Sequence, residues 1–403
     1  MGGLDRDRDL ARLFTLMSRN FVSRRVSGPA GDMRADIDEL TDPVFNEQGT
    51  MKIPTEPIGS IPRPPELIEA VASGSISDPN LDPHFEAAVR DTIERFEATG
   101  SPIITDGEQR KYHNFWTYSV HGLPNTAPDG FKIPFIAGHV RRMPRLTGGP
   151  FKYMRYADSY LDVALKYAHR PLKQAVISPS ALSLMYPADE IPGYSRDEFI
   201  EDLLSEHEKE IRRCFQKGAA KIQIDFTEAR LAMKIDPSGD LLGTFVDLNN
   251  MAMNRFADAE RKLIGVHTCP GGDRDSTHSA DVDYAEFLPL LFQLNVGYFC
   301  IALSGEKDRV KVLKIISQEM KPNQQVFVGV VAPINPRIDT PEEVRDRVLE
   351  AAKYLPIEQL GTTDDCGFAP FSDDTSTSRD TAFAKIRARV EGTALAADVI
   401  AGG

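Results

Sequence analysis

The sequence is short of several things, and each shortage closes off a class of protein. Four cysteines (Cys214, Cys269, Cys300 and Cys366) occur in 403 residues. That is too few for a disulfide scaffold, so a reducing compartment is expected and thiols are available for metal or catalysis. A basic excess is missing too: 47 Lys and Arg stand against 60 Asp and Glu, a formal charge of -13, which leaves no broad footprint for nucleic acid or an anionic membrane. The chain has no apolar run of about 18 residues to span a bilayer, and its N-terminus lacks the compact apolar core of a secretory signal. The reading is a cytoplasmic protein with neither nucleic acid nor membrane as partner. Internal repeats, low-complexity tracts and a glycine-rich dinucleotide fingerprint after the first strand are lacking as well.

What is present is a composition of 41% hydrophobic and 27% charged residues, enough to bury a large core. Residues 1–50 stand apart. Arg6, Arg8, Arg12, Arg19, Arg24 and Arg25 surround Leu10, Leu13, Phe14, Leu16 and Met17, a pattern that predicts a short amphipathic helix. Such an arm would pack on a partner subunit, which gives the expectation of a homodimer.

From residue 52 onward short apolar runs alternate with amphipathic stretches. Strands are expected at 52–58, 102–105, 174–177, 221–225, 263–267, 298–303, 325–331 and 359–362, with helices at 86–99, 196–217, 242–262, 284–294, 307–318 and 341–354. This alternation predicts α/β architecture. Polar residues fall repeatedly just after a strand: Gly59-Ser60, Asp106-Gly107-Glu108, Asp225, His267-Thr268-Cys269 and Asp364-Asp365-Cys366. In a (β/α)8 TIM barrel those ends converge on one site, and a single such barrel is expected over residues 51–403. The long segments 107–170 and 270–283 exceed ordinary barrel loops and are expected to cover or line that site.

The sharpest chemical signal is His267-Thr268-Cys269 at a strand end. Residues two apart on a strand face one side, so His267 and Cys269 can present a nitrogen and a sulfur to one point. Cys366, much later, would add a third donor in a set suited to zinc. Each residue alone could equally be core packing; their common placement at strand ends favours the metal. The segment 109–118 mixes Arg110, Lys111 and His113 with Phe115, Trp116 and Tyr118, and Trp116 is taken as a substrate-binding residue there, with an anchored loop as the alternative.

Together with Pro57-Ile58-Gly59-Ser60-Ile61-Pro62-Arg63-Pro64, Thr105-Asp106-Gly107-Glu108, Gln223-Ile224-Asp225 and Asp365-Cys366-Gly367, the His-x-Cys pair resembles the catalytic barrel of the cobalamin-independent methionine synthase family. The resemblance covers roughly residues 52 to 400. It implies a catalytic zinc (Zn2+) held by His267, Cys269 and Cys366, with a substrate thiol bound as the zinc thiolate. It also implies that Ser60, Glu108 and Asp225 hold the carboxylate and amino group of homocysteine, although Glu108 and Asp225 would serve equally as barrel-mouth hydrogen-bonding groups for another substrate. The family's fourth ligand, a Glu, aligns with Ala302, which leaves Glu306 or Cys300 as replacements, or water or substrate in the open position. The family's folate-using members usually carry a second barrel for which this chain has no room, so a folate donor is not expected.

The expected function is zinc-dependent methyl or alkyl transfer to a small thiol, with Glu108 and Asp225 in the catalytic set. Metal coordination deprotonates a thiol whose free pKa near 8.5 keeps it mostly neutral at pH 7. Epoxide opening or another recruited chemistry on the same barrel is the first alternative. A metal-independent decarboxylase or lyase, or a non-catalytic ligand-binding barrel, is the second.

Overall fold

The computed structural model describes residues 51–73, 79–111, 115–135, 140–271, 277–372 and 374–402. The N-terminal arm and the helix expected in it lie outside the described residues. Among the described residues no helix is long and apolar enough to cross a membrane.

Six parallel strands form the continuous sheet: β1 (Lys173–Ile177), β2 (Lys221–Asp225), β3 (Ile264–Thr268), β4 (Tyr298–Ile301), β5 (Gln325–Val331) and β6 (Leu360–Asp364), paired in chain order. Two further segments extend it at its edges. Thr55 bridges Thr362 of β6, and Ile104 bridges Leu172 just before β1, both in parallel. These two segments then meet each other, Ile61 N donating to the Gly107 carbonyl at 3.0 Å and Thr105 Oγ1 to the Gly59 carbonyl at 2.9 Å. The sheet is thereby closed into a (β/α)8 barrel.

The full strands expected at 52–58 and 102–105 reduce to single bridges. Pro54, Pro57 and Pro102 carry no N–H to continue a ladder, so only Glu56 N to Thr362 O, Thr362 N to Pro54 O and the pair of bonds around Ile104 are made. The single helix expected at 242–262 is also corrected. It breaks into Asp240–Met253 and Asp258–Arg261, because Phe256 turns into the core while Arg261 takes the Phe256 carbonyl and Arg212 that of Arg255. Arg196–Lys217, by contrast, starts on a Ser195–Glu198 capping box and stops at left-handed Gly218, the local signals that define helix ends. Cys214 is buried on that helix.

The strands are buried on both faces, as crossover helices require. The segment between the second barrel position and β1 carries two short antiparallel ribbons, Thr126–Ala127 with Arg145–Leu146 and Lys132–Pro134 with Val140–Arg142, and the helix Asp158–Tyr167. It brings Phe115, Trp116, Ile133 and Phe135 to the C-terminal mouth of the barrel.

Candidate metal centre and substrate cavity

Position in the ladder decides which side chains meet. Ile177 pairs with Asp225, Asp225 with His267, and His267 with Cys300, so Asp225 and His267 end neighbouring strands at one level. Cys269 follows two residues beyond His267, and Cys366 follows β6. One donor atom each from His267, Cys269 and Cys366 lies within 4.8 Å of the others, all three residues buried. The two Sγ atoms are 2.9 Å apart.

Among the described residues, both ring nitrogens of His267 are buried without a hydrogen-bond partner. Such an orphaned imidazole is costly unless something else occupies its lone pair. Burial opposes ionisation here, yet the Cys366 thiol and the His267 imidazole pull the Cys269 thiol well below its usual range, and His267 is raised in turn by Cys269. One borderline nitrogen and two soft sulfurs converging within 4.8 Å fit a zinc-type cation by the chemistry of the donors.

The two proposed replacements for the fourth ligand lie outside this trio. Glu306 Oε1 is taken by Arg230 Nη1 at 2.7 Å. Cys300 is fully buried inside the barrel, where Ile58, Tyr298 and Phe327 surround it and Glu56 accepts from its thiol at 3.8 Å; burial pushes that thiol up to about 12. The backbone after Ala302 is committed as well. Leu303, Ser304 and Gly305 donate three consecutive N–H groups to the Asp365 carboxylate at 2.7–2.9 Å, which ties this loop to the residue before Cys366.

At the trio opens a cleft of about 630 Å³, the solvent space at its mouth included. Ser60, Glu108, Trp116, Asp225, His267, Cys269 and Cys366 all line it, together with Phe115, Phe135, Phe371, Thr227, Glu228 and His278. Ser60 Oγ accepts from Ala369 N at 3.3 Å. Glu108 sits at a φ of 55°, a strained conformation for a non-glycine residue. Asp106 Oδ1 holds its N–H at 2.8 Å, and its carbonyl accepts from Arg63 Nη2 at 2.9 Å. Buried Arg63 also donates to the carbonyls of Lys111, Ala369 and Phe371, so one guanidinium pins three loops of the rim. Burial, reinforced by Glu108, raises Asp225 to about 6, while Gln223 Nε2 donates to its Oδ1 at 2.8 Å.

Arg110 turns away from the cavity to Asp82 at 2.5 Å, and Lys111 is buried against the Ala175 carbonyl. Both cations are thus engaged by protein groups, which fits the alternative of an anchored loop for this segment. Glu228, Phe135 and Phe371 were not anticipated as individual residues, whereas His278 belongs to the 270–283 segment expected to cover or line the site. The Nδ1 of His278 meets Ser279 Oγ at 2.8 Å, and burial lowers its ring to about 4. Only its place three residues after Asp225 could have signalled Glu228.

The chain matches the model of the cobalamin-independent synthase catalytic domain over residues 53–391. It is 25% identical over 353 residues to a methionine synthase of Sulfurisphaera tokodaii, covering 85% of this chain and 91% of that protein. It is 22% identical over 367 residues to a 5-methyltetrahydropteroyltriglutamate–homocysteine methyltransferase of Nitratidesulfovibrio vulgaris, covering 86% of this chain but 43% of that longer protein. Among solved structures, a B12-independent methionine synthase from Shewanella sp. W3-18-1 in complex with selenomethionine superposes with a TM-score of 0.65 at 18% identity, covering 87% of this chain and 100% of that one. A putative vitamin-B12-independent methionine synthase from Listeria monocytogenes gives 0.60 at 22%, covering 87% and 98%. These structural likenesses concern the fold.

Proposed function

Because this chain belongs to the family of cobalamin-independent synthase catalytic domains, we propose that it is a zinc-dependent transferase moving a methyl or other alkyl group to the sulfur of a homocysteine-like thiol. The observation that carries this reading is the convergence of His267, Cys269 and Cys366, all buried, at a cavity that Ser60, Glu108 and Asp225 also line. His267, Cys269 and Cys366 would hold the metal. When bound, zinc supplies the Lewis acidity that ionises a thiol at neutral pH.

The chain's own residues do the rest. The Ser60 hydroxyl, whose oxygen accepts from Ala369, keeps its proton to give to the substrate carboxylate. Glu108 and Asp225 face the cavity as acceptors for the substrate ammonium, Asp225 being mostly ionised at neutral pH with its value of about 6. Phe115, Trp116, Phe135 and Phe371 wall the site against water, which strengthens every charge interaction within it. The thiolate then attacks the alkyl carbon in line with the leaving group.

The 5-methyltetrahydropteroyl donor in the name of the Nitratidesulfovibrio relative is one candidate, in a protein of which this chain spans less than half. Elemental analysis tests the metal centre: about one zinc per chain, lost in His267→Ala and Cys269→Ala, is the expected result. A natural protein that neither contains nor takes up zinc would remove the basis of the mechanism.

A further inference from the structure

The cavity holds one carboxyl group that substrate binding does not use. Glu228 lines it, 4% exposed, and its two oxygens have different surroundings. Oε1 accepts from Ser178 Oγ at 2.5 Å and from Ser180 Oγ at 2.6 Å. Each of those hydroxyls also receives an N–H at its own oxygen, Ser178 from Ala181 N at 3.1 Å and Ser180 from Asn249 Nδ2 at 2.9 Å; Ser180 Oγ lies 3.1 Å from Asn249 Oδ1 and 3.3 Å from Ser178 Oγ as well, and Glu228 Oε1 at 2.6 Å is the nearest of its three acceptors. Two hydroxyls donating to Oε1 favour the carboxyl proton on the other oxygen. Oε2 is buried and has no hydrogen-bond partner among the described residues. A proton on this carboxyl therefore belongs on Oε2, the oxygen without a partner on a residue that lines the cavity.

We infer that Glu228 is a general acid that delivers the Oε2 proton to the leaving atom of the alkyl donor. This role rests on the transferase reading above. The substrate sulfur, its own proton already lost to solvent, forms the new S–C bond as the bond from that carbon to the leaving nitrogen or oxygen breaks. The electron pair of the broken bond stays on the leaving atom and takes up the Oε2 proton, and the Glu228 carboxylate regains a proton from solvent before the next turnover. The surroundings keep the group protonated near neutrality: burial, with the Asp225 charge at the end of β2 adding to it, raises Glu228 to about 7 against the two serine hydroxyls. Ser178 and Ser180 at the start of the helix Pro179–Ser183 face it, backed by Asn249 from the helix Asp240–Met253. A general acid works best with a pKa near the operating pH.

The test compares zinc-loaded natural protein with Glu228→Gln, which keeps an acceptor for the serines, and with Glu228→Asp, which withdraws the proton. Homocysteine is the thiol. 5-Methyltetrahydropteroylglutamate and propylene oxide are donors whose leaving atom needs a proton, whereas trimethylsulfonium leaves as a neutral sulfide and needs none. For Glu228→Gln, kcat/KM is expected to fall about 10²- to 10⁴-fold with a donor of the first kind and to stay unchanged with trimethylsulfonium, and Glu228→Asp should show the same split at smaller size. Infrared titration of metal-free protein should show protonated-carboxyl intensity near neutral pH that is larger in the natural protein than in Glu228→Gln, which keeps the contribution of Glu210, a buried carboxyl also raised to about 7. Equal losses with both kinds of donor, turnover of the natural protein with the sulfonium alone, or no intensity near neutral pH that Glu228→Gln removes would overturn the acid role and leave the transferase reading standing. No turnover of any donor by zinc-loaded natural protein would overturn the transferase reading and this role together.

Discussion

Two buried polar clusters sit at opposite ends of the same barrel, and they differ in what is left over. At the N-terminal end Glu56 accepts from Lys173 at 3.0 Å on one oxygen and from Lys221 at 2.6 Å on the other; Lys173 also donates to Gln223 at 2.8 Å, and the Lys221 ammonium lies 3.8 Å from the Tyr298 ring centroid. Both carboxylate oxygens and both ammonium groups are occupied. At the C-terminal mouth, His267 has two orphaned nitrogens, and Glu228 and Asp106 each have an orphaned oxygen. A satisfied network rigidifies, whereas buried donors and acceptors without partners carry a cost that something bound can relieve. A satisfied cluster at the bottom of a barrel and an open one at its top match the usual division between stability and catalysis.

The largest effect expected from breaking this contrast is at the bottom. Glu56→Ala leaves two buried ammonium groups uncompensated and should cost about 3–5 kcal/mol, read as a lower urea midpoint at unchanged slope. A loss below about 1 kcal/mol, the scale of an exposed pair, would show that the triad is not a structural unit.

The two ends should also respond to pH with opposite sign. Lys173 and Lys221 lower Glu56 against its burial, so its contribution is present above its ordinary value of 4.5 and is lost as pH falls through the lowered folded value. Glu228 is raised to about 7, chiefly by burial. Its folded form keeps a proton that the unfolded chain releases, so its contribution is full below 4.5 and is lost as pH rises through about 7. That loss is on the order of 3 kcal/mol, and Glu228→Gln should flatten stability over that interval in metal-free protein. An unchanged slope would contradict the buried, proton-bearing Glu228.

A smaller effect is expected at Gly367, where an added Cβ would lie 2.1 Å from Ser60 Oγ. Gly367→Ala should cost about 1–3 kcal/mol by overpacking and weaken homocysteine binding through the displaced Ser60. Titration calorimetry checks the second part; native affinity in a folded variant would separate Ser60 from the carboxylate. The smallest effect on folding belongs to the metal-free mouth. His267→Leu removes an unsatisfied imidazole and should leave the urea midpoint of metal-free protein nearly unchanged while abolishing zinc uptake.

The same contrast explains what could be read from the chain alone. Strands that begin or end in chemistry, such as the run to Asp225 and the run through His267 to Cys269, were legible because apolar periodicity and a terminal polar residue coincide there. The first two barrel positions were overextended because prolines 54, 57 and 102 remove ladder donors without changing the apolar pattern. Glu306 looked free in sequence, yet Arg230 from a different crossover captures it, and no local pattern announces a tertiary partner. The same holds for Arg63, which was visible inside the Ile61-Pro62-Arg63 run but whose four carbonyl acceptors come from distant loops. Glu228 became meaningful only once Ser178, Ser180 and Asn249 were seen to claim one oxygen and leave the other.

The most direct test of the metal-thiol account is thiol titration of the cobalt-substituted protein followed by absorption spectroscopy. The account predicts that homocysteine adds a sulfur-to-metal charge-transfer band that saturates at one thiol per chain in the natural protein and is missing in Cys366→Ser. A cobalt spectrum that homocysteine leaves unchanged, or a band of equal size in Cys366→Ser, would contradict it.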